Sequence, residues 1–250
     1  MKTSIELPCI SKALSVQAVG VFDSGVGGLS VLKAMLNHLP AERFQFVADE
    51  RYLPYGDKPQ HEITDRVLTL SNWLRNQGCK AMVMACNTAT AAGANQARAV
   101  HANWPIVGIE PAVKPASMLT KTGVVGILAT TNTVASERFK ALVERFDPLE
   151  LLQKQADMIV LGCTHYPFVA HLISKLAGPG VDVIETGLPV AKQLKARLEA
   201  ENLLNVAGEY LPLLERVSFF TTGQPDVFKE KLVNLLGSDW SNAQVEYLDV

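Results

Sequence analysis

No run of lysine and arginine marks this sequence: 23 basic residues stand against 25 acidic ones, for a formal net charge of −2. A broad nucleic-acid footprint is not expected from such a balance. Long apolar runs are missing too. The longest, such as residues 158–162, are strand-length, far below the roughly 18 residues of a membrane span. At the N-terminus Glu6, Pro8 and Lys12 interrupt anything resembling a signal-peptide core. No CxxC pair occurs among the four cysteines, at 9, 79, 86 and 163, a spacing that reads as free thiols in a reducing compartment and not as a disulfide framework or a zinc site. No GK[ST] follows the glycines at 25, 27 and 28, and Ser30 holds the place of the last glycine of the dinucleotide fingerprint. No lysine ends a strand where a pyridoxal Schiff base would need it. The expectation is a soluble cytoplasmic protein with no metal, no cofactor, no nucleic-acid partner and no membrane contact.

What is present is an ordinary globular composition, with 48% hydrophobic and 19% charged residues and a mean hydropathy of +0.14. Disorder is excluded for most of the chain. Its 250 residues bury roughly 70–75% of the unfolded surface, enough for one large or two small domains without staples. Short apolar runs alternate with helical patterns, which points to an α/β protein. Strands are predicted over 18–22, 44–48, 81–85, 106–109, 124–129, 158–162, 181–184 and 217–221. Helices are predicted over 29–39, 61–77, 89–102, 111–119, 136–145, 189–202 and 226–236, with Pro189 in a first turn and Val190, Leu194 and Leu198 facing the core. Residues 1–17 show no such grammar and read as a loose extension.

An internal repeat organises the rest. A strand ending in Asp23–Ser24–Gly25 precedes one ending in Cys86–Asn87–Thr88, and a strand ending in Ala129–Thr130–Thr131 precedes one ending in Cys163–Thr164–His165. Two similar α/β domains would bring these ends to a shared cleft. The second half is shorter by about one βα unit, and 145–148 is where the gap is expected.

Ligands of open α/β sheets bind beyond the carboxyl ends of strands. Cys86 and Cys163 both fall there. Either alone reads best as a core cysteine, as Cys79 does, and Cys9 in the extension has no role. Two in matching positions reverse that reading. A helix starting near Ala89 would favour a Cys86 thiolate; Cys163 has His165 two residues away. Asp23 reads as a helix cap or as a carboxylate that binds an ammonium or assists a thiol. The glycines at 25–28 would permit a tight turn and the close approach of a small ligand, and Tyr52–Leu53–Pro54–Tyr55–Gly56 reads as a loop, either surface turn or cleft wall. Two thiols facing each other suit removal and return of a proton at carbon. A cysteine hydrolase leaves the second thiol unexplained.

The motifs FDSGVGGLSV (22–31), PYG (54–56), ACNTA (85–89) and GCTHYP (162–167) resemble those of glutamate racemases, and GIEPAVKPA (108–116) is similar to the segment joining that family's domains. The resemblance covers nearly the whole chain after residue 17. It implies two flavodoxin-like α/β domains related by pseudo-symmetry, with the active site in the cleft between them: residues 1–109 with 187–250 as the first and 110–186 as the second. It implies cofactor-independent interconversion of L- and D-glutamate, supplying D-glutamate for peptidoglycan, and a homodimer is among the family's assemblies. By motif position Cys86 and Cys163 would be the acid–base pair, assisted by Asp23 and His165. Asp23, Ser24, Pro54, Tyr55, Gly56, Asn87, Thr88, Thr133, Thr164 and His165 would bind substrate. The chain departs from the family at Glu50 and Glu185, and in lacking a segment with a Cys-Pro element and an acidic residue before the second cysteine. An aspartate or related racemase, and a non-catalytic binding protein on the same fold, stay open.

Overall fold

The computed structural model describes residues 15–146, 156–206 and 211–250. Most of the extension, Cys9 and half of the expected gap at 145–148 lie outside them. The chain runs β1 (Val19–Asp23), α1 (Leu29–His38), β2 (Phe44–Ala48), α2 (Gln60–Asn76), β3 (Ala81–Met84), α3 (Asn87–Val100), β4 (Ile106–Gly108), α4 (Val113–Leu119), β5 (Val125–Ala129), α5 (Thr131–Ala135), α6 (Glu137–Phe146), β6 (Met158–Gly162), α7 (Ala170–Ala177), β7 (Asp182–Ile184), α8 (Gly187–Ala200), β8 (Val217–Thr221), α9 (Pro225–Leu236) and β9 (Val245–Tyr247). All eight predicted strands are present within one or two residues. The three-residue β9 and the short helices α5 and α7 carry too little periodicity to be read in advance.

Two parallel sheets result, one ordered β4-β3-β1-β2-β8-β9 and the other β5-β6-β7. The central strand β1 is apolar along its length and buried throughout, as a parallel strand covered on both faces must be. Helix α8 returns to the first sheet and packs along α1. Val190, Leu194 and Leu198 are buried there, joined by Ala191, so the four-residue spacing does face the core. Pro189 is the third residue of that helix, inside the first turn, where its missing N–H has no intrahelical partner to lose.

The second sheet is less covered. Strand β5, Val-Gly-Ile-Leu-Ala, is as apolar as β1, yet none of its residues is buried. Among the described residues it pairs only with β6, whereas β1 pairs with β3 on one side and β2 on the other. Nearby apolar side chains also face outward: Met118 and Leu119 at the end of α4, and Leu172 and Leu176 on α7.

Since all strands in each sheet are parallel, their carboxyl ends gather on one edge. The ends of β1 and β3 meet those of β5 and β6 across a cleft. The hydroxyl of Thr164 donates to Asp23 Oδ2 at 3.0 Å, Ser30 Oγ donates to the Thr164 carbonyl at 3.1 Å, and Thr88 shares a hydroxyl contact with Thr130 at 3.1 Å.

Candidate active site

The first half of the cleft is built from the turns after β1, β2 and β3. Asp23, the last residue of β1, is fully buried. Its Oδ1 accepts the Gly25 N–H at 2.7 Å and its other oxygen accepts from Thr164. It is not a helix cap: α1 begins at Leu29 with Gly28 at its N-cap. Cys86 is one. It precedes α3 in extended conformation, and its Sγ accepts the Ala89 N–H at 3.4 Å. That cap explains why α3 starts at Asn87 rather than at the predicted 89. The Cys86 thiol also reaches Ser24 Oγ at 3.6 Å.

After β2 a short helical turn at Tyr55–Asp57 brings Pro54, Tyr55 and Gly56 to the cleft. Tyr55 turns its hydroxyl away from it, donating to Asp49 Oδ2 at 2.5 Å. Asp49 is itself held by Arg66, Nε at 3.0 Å and Nη2 at 2.9 Å, and by Thr222 Oγ1 at 3.0 Å. The phenol is therefore an anchor for the turn. Burial, with the Asp49 charge second, pushes its ionisation well above the usual tyrosine range.

The second half comes from the turns after β5 and β6. Cys163 is half-buried, with Sγ 3.8 Å from Nδ1 of His165. A cavity of about 360 Å³ lies between the halves, lined by Ser24, Pro54, Tyr55, Gly56, Cys86, Asn87, Thr88, Cys163, Thr164 and His165. The structure thus brings ten of the twelve predicted residues to one wall or another. Asp23 lies beneath the floor. Thr133 stands one layer back, its hydroxyl 3.5 Å from Thr88 and 3.0 Å from Thr130. Thr130 and Thr131 line the cavity in its place, with Leu53, Asp57, Ala129 and Gly162. Their signal in the sequence is position, directly after an apolar strand or beside the Pro-Tyr-Gly turn. Both amide atoms of the buried Asn87 side chain have no hydrogen-bond partner among the described residues, a cost that a polar ligand in the cavity would remove.

The expected pull of the helix N-terminus on Cys86 is present, but it is not the largest influence on that thiol. The helix N-terminus and Ser24 favour the thiolate, but burial and then the charge of Asp23 outweigh them, and the thiol is pushed up to about 12. Burial also raises Cys163, against the N–H groups of His165 and Tyr166, with Asp23 adding to the rise. One carboxyl therefore faces both thiols. Burial raises the Asp23 carboxyl as well, opposed first by the charge of His165 and then by N–H and hydroxyl donors.

A stability consequence follows from that rise. A carboxyl whose folded pKa exceeds its unfolded one binds its proton more tightly in the native state, so its contribution is full below the ordinary 3.8 and is lost as pH rises through the raised value. Asp23→Asn is therefore expected to raise the melting temperature at neutral pH and to leave it unchanged below the ordinary carboxyl range. Thermal unfolding followed by circular dichroism at both pH values checks this; a variant less stable at neutral pH contradicts it.

The glycines at 25, 27 and 28 each stand close to neighbouring side chains, and at Gly27 those neighbours come from across the cleft. None has a positive φ. A Cβ on Gly27 would stand 2.4 Å from Thr164 Oγ1 and 2.6 Å from His165 Nδ1. The bare backbone admits the other half of the cleft.

Comparison with known proteins agrees with this geometry. The pattern of the Asp/Glu/hydantoin racemase family matches residues 19–151. A glutamate racemase of Pseudomonas aeruginosa is 40% identical over 260 residues, taking in 90% of this chain and 96% of the relative. That alignment is longer than this chain, so the relative carries residues for which this chain has no counterpart. A glutamate racemase isoform of Bacillus anthracis superposes with a TM-score of 0.80 at 26% identity, covering 94% of this chain and 98% of that one. The Escherichia coli glutamate racemase, solved with L-glutamate and the activator UDP-MurNAc-Ala, gives a TM-score of 0.77 at 26% identity, covering 94% and 99%. With a fold of two parallel sheets, thiols on both sides of one cleft and relatives at this identity over most of its length, the chain belongs to the Asp/Glu/hydantoin racemase family.

Proposed function

We propose that the protein is a glutamate racemase, an isomerase that interconverts L- and D-glutamate with two thiols and no cofactor. The observation that carries this reading is the pair Cys86 and Cys163, presented from two different sheets to one cavity. One thiolate removes the α-proton; the thiol opposite delivers another to the other face, and the centre inverts. The enzyme is left with its two protonation states exchanged.

A turnover near 10 per second needs a barrier of roughly 16 kcal/mol, and the acidity of the α-carbon is the main obstacle. With both thiols raised by burial and by Asp23, the protein's own groups favour their protonated forms. A substrate ammonium adds positive charge beside Asp23 and shifts the balance toward thiolate. The negative charge that develops on the substrate carboxylate must meet preorganised donors. Asn87, Thr88 and Thr130 supply them from the cavity wall, and the unpaired amide of Asn87 is ready without rearrangement. In this reading His165, beside Cys163, assists that thiol; Asp23 tunes both; and Ser24, Pro54, Tyr55 and Gly56 hold the rest of the substrate.

The domain division belongs to the same proposal, with 1–109 and 187–250 as the first unit, 110–186 as the second, and one βα unit deleted near 145–148. The packing of α8 on α1, the open edge of β5 and the long alignment with the Pseudomonas relative support it. The exposed Met118, Leu119, Leu172 and Leu176 support a homodimer, which the mass in solution tests. A role in peptidoglycan supply and a cytoplasmic location complete the reading. No helix among the described residues is long and apolar enough to cross a membrane, and Cys79, Cys86 and Cys163 are free thiols, as a reducing compartment keeps them.

A second cavity, of about 810 Å³, opens behind the segment joining the sheets, and Arg98, Lys114, Arg138 and Arg197 line it, with Glu110 paired to Arg138. Burial and then the charges of Arg138 and Arg197 hold the Arg98 guanidinium below its usual range. Clustered cations of this kind attract a phosphorylated ligand, which supports an activator of the type solved with the Escherichia coli relative.

Proton NMR in D₂O with L-glutamate and no pyridoxal phosphate is the test, with circular dichroism of the same tube. The expected result is loss of the α-proton signal together with decay of optical activity, and a faster decay when UDP-MurNAc-Ala is added. Turnover of aspartate alone would replace glutamate as the substrate, and silence with both would overturn the racemase reading.

A further inference from the structure

We propose that Asn132 is a positioning residue whose side-chain amide clasps the second sheet's unit onto the Tyr55–Asp57 turn and so holds Cys163 opposite Cys86. As regards the reaction, the inference rests on the racemase reading; the clasp itself does not.

Asn132 is the second residue of α5. Its Nδ2 donates to the carbonyl of Tyr55 at 3.4 Å and to that of Lys58 at 3.1 Å. These two residues bracket the turn, closed by the Lys58 N–H on the Tyr55 carbonyl at 3.2 Å. The turn is fixed to the first sheet by the Tyr55 hydroxyl on Asp49 and by Arg66 on the same carboxylate. Asn132 therefore grips a rigid part of one unit from a helix of the other.

That helix moves with the second thiol. Strands β5 and β6 pair in register, Ala129 beside Gly162, so the residues that follow them, Thr130 and Cys163, leave the sheet side by side. A displacement of α5 from the turn carries Cys163 with it. The contact of Thr88 with Thr130 beside this seam comes from hydroxyls that also line the substrate cavity. Asn132 lies on the other flank, beside Gln60, Asn95 and Ser136, out of the ligand's reach. Its contribution is to geometry, and it must be a donor, because both partners are carbonyl oxygens.

A two-base reaction is sensitive to that geometry. If the cleft stands open, the thiolate that took the α-proton returns one, after exchange with solvent, to the same face. The substrate then gains deuterium without inverting.

The test uses Asn132→Asp, which keeps the shape and loses the donor, and Asn132→Gln, which keeps the donor. Iodoacetamide labelling mapped by peptide mass spectrometry reads the clasp directly. In Asn132→Asp, Cys86 is expected to react about fivefold faster, the factor that one hydrogen bond puts on an open–closed equilibrium. Cys79, in the first sheet's core, keeps its rate, and Asn132→Gln stays near the parent protein. An unchanged Cys86 overturns the clasp, and so does equal acceleration of Cys79, which marks general loosening. This readout holds whether or not glutamate is turned over, so failure of the racemase reading is seen separately in the parent protein. With glutamate in D₂O, Asn132→Asp is expected to show a higher ratio of α-exchange in the starting enantiomer to product formation, with kcat lowered more than KM is raised. Parallel loss of exchange and racemisation would overturn the positioning role.

Discussion

Alanine at Cys86 or at Cys163 is expected to cut racemisation by about 10²–10⁴-fold, the factor that a positioned acid or base contributes. Both variants should fold, since Cys86 borders the cavity and Cys163 is only half-buried. The losses are not equivalent in kind. With one thiol gone, the other still faces its own side of the α-carbon and can take and return a proton there. Each variant should therefore exchange the α-proton of one enantiomer in D₂O, Cys86→Ala and Cys163→Ala acting on opposite ones. Neither should convert that enantiomer into its mirror image. Proton NMR of L- and D-glutamate with each variant, beside circular dichroism, gives four measurements whose pattern identifies which thiol serves which face. Full racemisation by either variant would defeat the two-base reading. Exchange of both enantiomers by one variant would place a second base in the cleft, and His165 at 3.8 Å from Cys163 is the group positioned to be it.

The thiols were legible in the sequence because each follows an apolar strand, and in a parallel sheet that placement fixes the edge on which a side chain emerges. The same rule located Ser24, Asn87, Thr88, Thr164 and His165. It could not separate wall from support. Asp23 and Thr133 have the same local pattern as their neighbours, yet one lies under the floor and the other behind Thr88; which is which depends on how the two sheets are set against each other. The net balance at the Cys86 thiol was hidden for a related reason. A helix N-terminus at Cys86 can be read from local sequence, but the burial and the Asp23 charge that outweigh it arise only when β1 and β3 are side by side. The helices α5 and α7 escaped notice since five and eight residues do not complete enough turns to display a period. Gly27 was seen, but the side chains that need its space come from 137 and 138 positions further along the chain, beyond any local pattern.

Those side chains make Gly27 the position where one methyl group should do the most. A Cβ there would stand 2.4 Å from Thr164 Oγ1, 2.6 Å from His165 Nδ1 and 2.9 Å from His165 Cε1. Its φ is not in the left-handed region, so alanine fits the backbone and the conflict lies wholly with the other half of the cleft. Thr164 cannot step aside. The Thr164 side chain is buried and bonded to Asp23 at 3.0 Å, and its carbonyl is held by Ser30 at 3.1 Å; the His165 ring is set beside Cys163. The cleft must open instead, and a displacement of about 1 Å in such a site costs on the order of 10² in rate. Gly27→Ala is thus expected to lose at least that much racemisation while its circular dichroism and melting temperature stay close to those of the parent. Gly28→Ala makes the contrast: its Cβ meets Asp23 Cβ at 2.6 Å and Ala85 Cβ at 3.1 Å, inside the first sheet's own packing, so its melting temperature should fall as overpacking dictates. A fully active Gly27→Ala would mean that Thr164 and His165 do not come this close when the reaction occurs. Loss of stability in Gly27→Ala equal to that in Gly28→Ala would mean that the two halves of the cleft unfold as one body rather than separate along this seam.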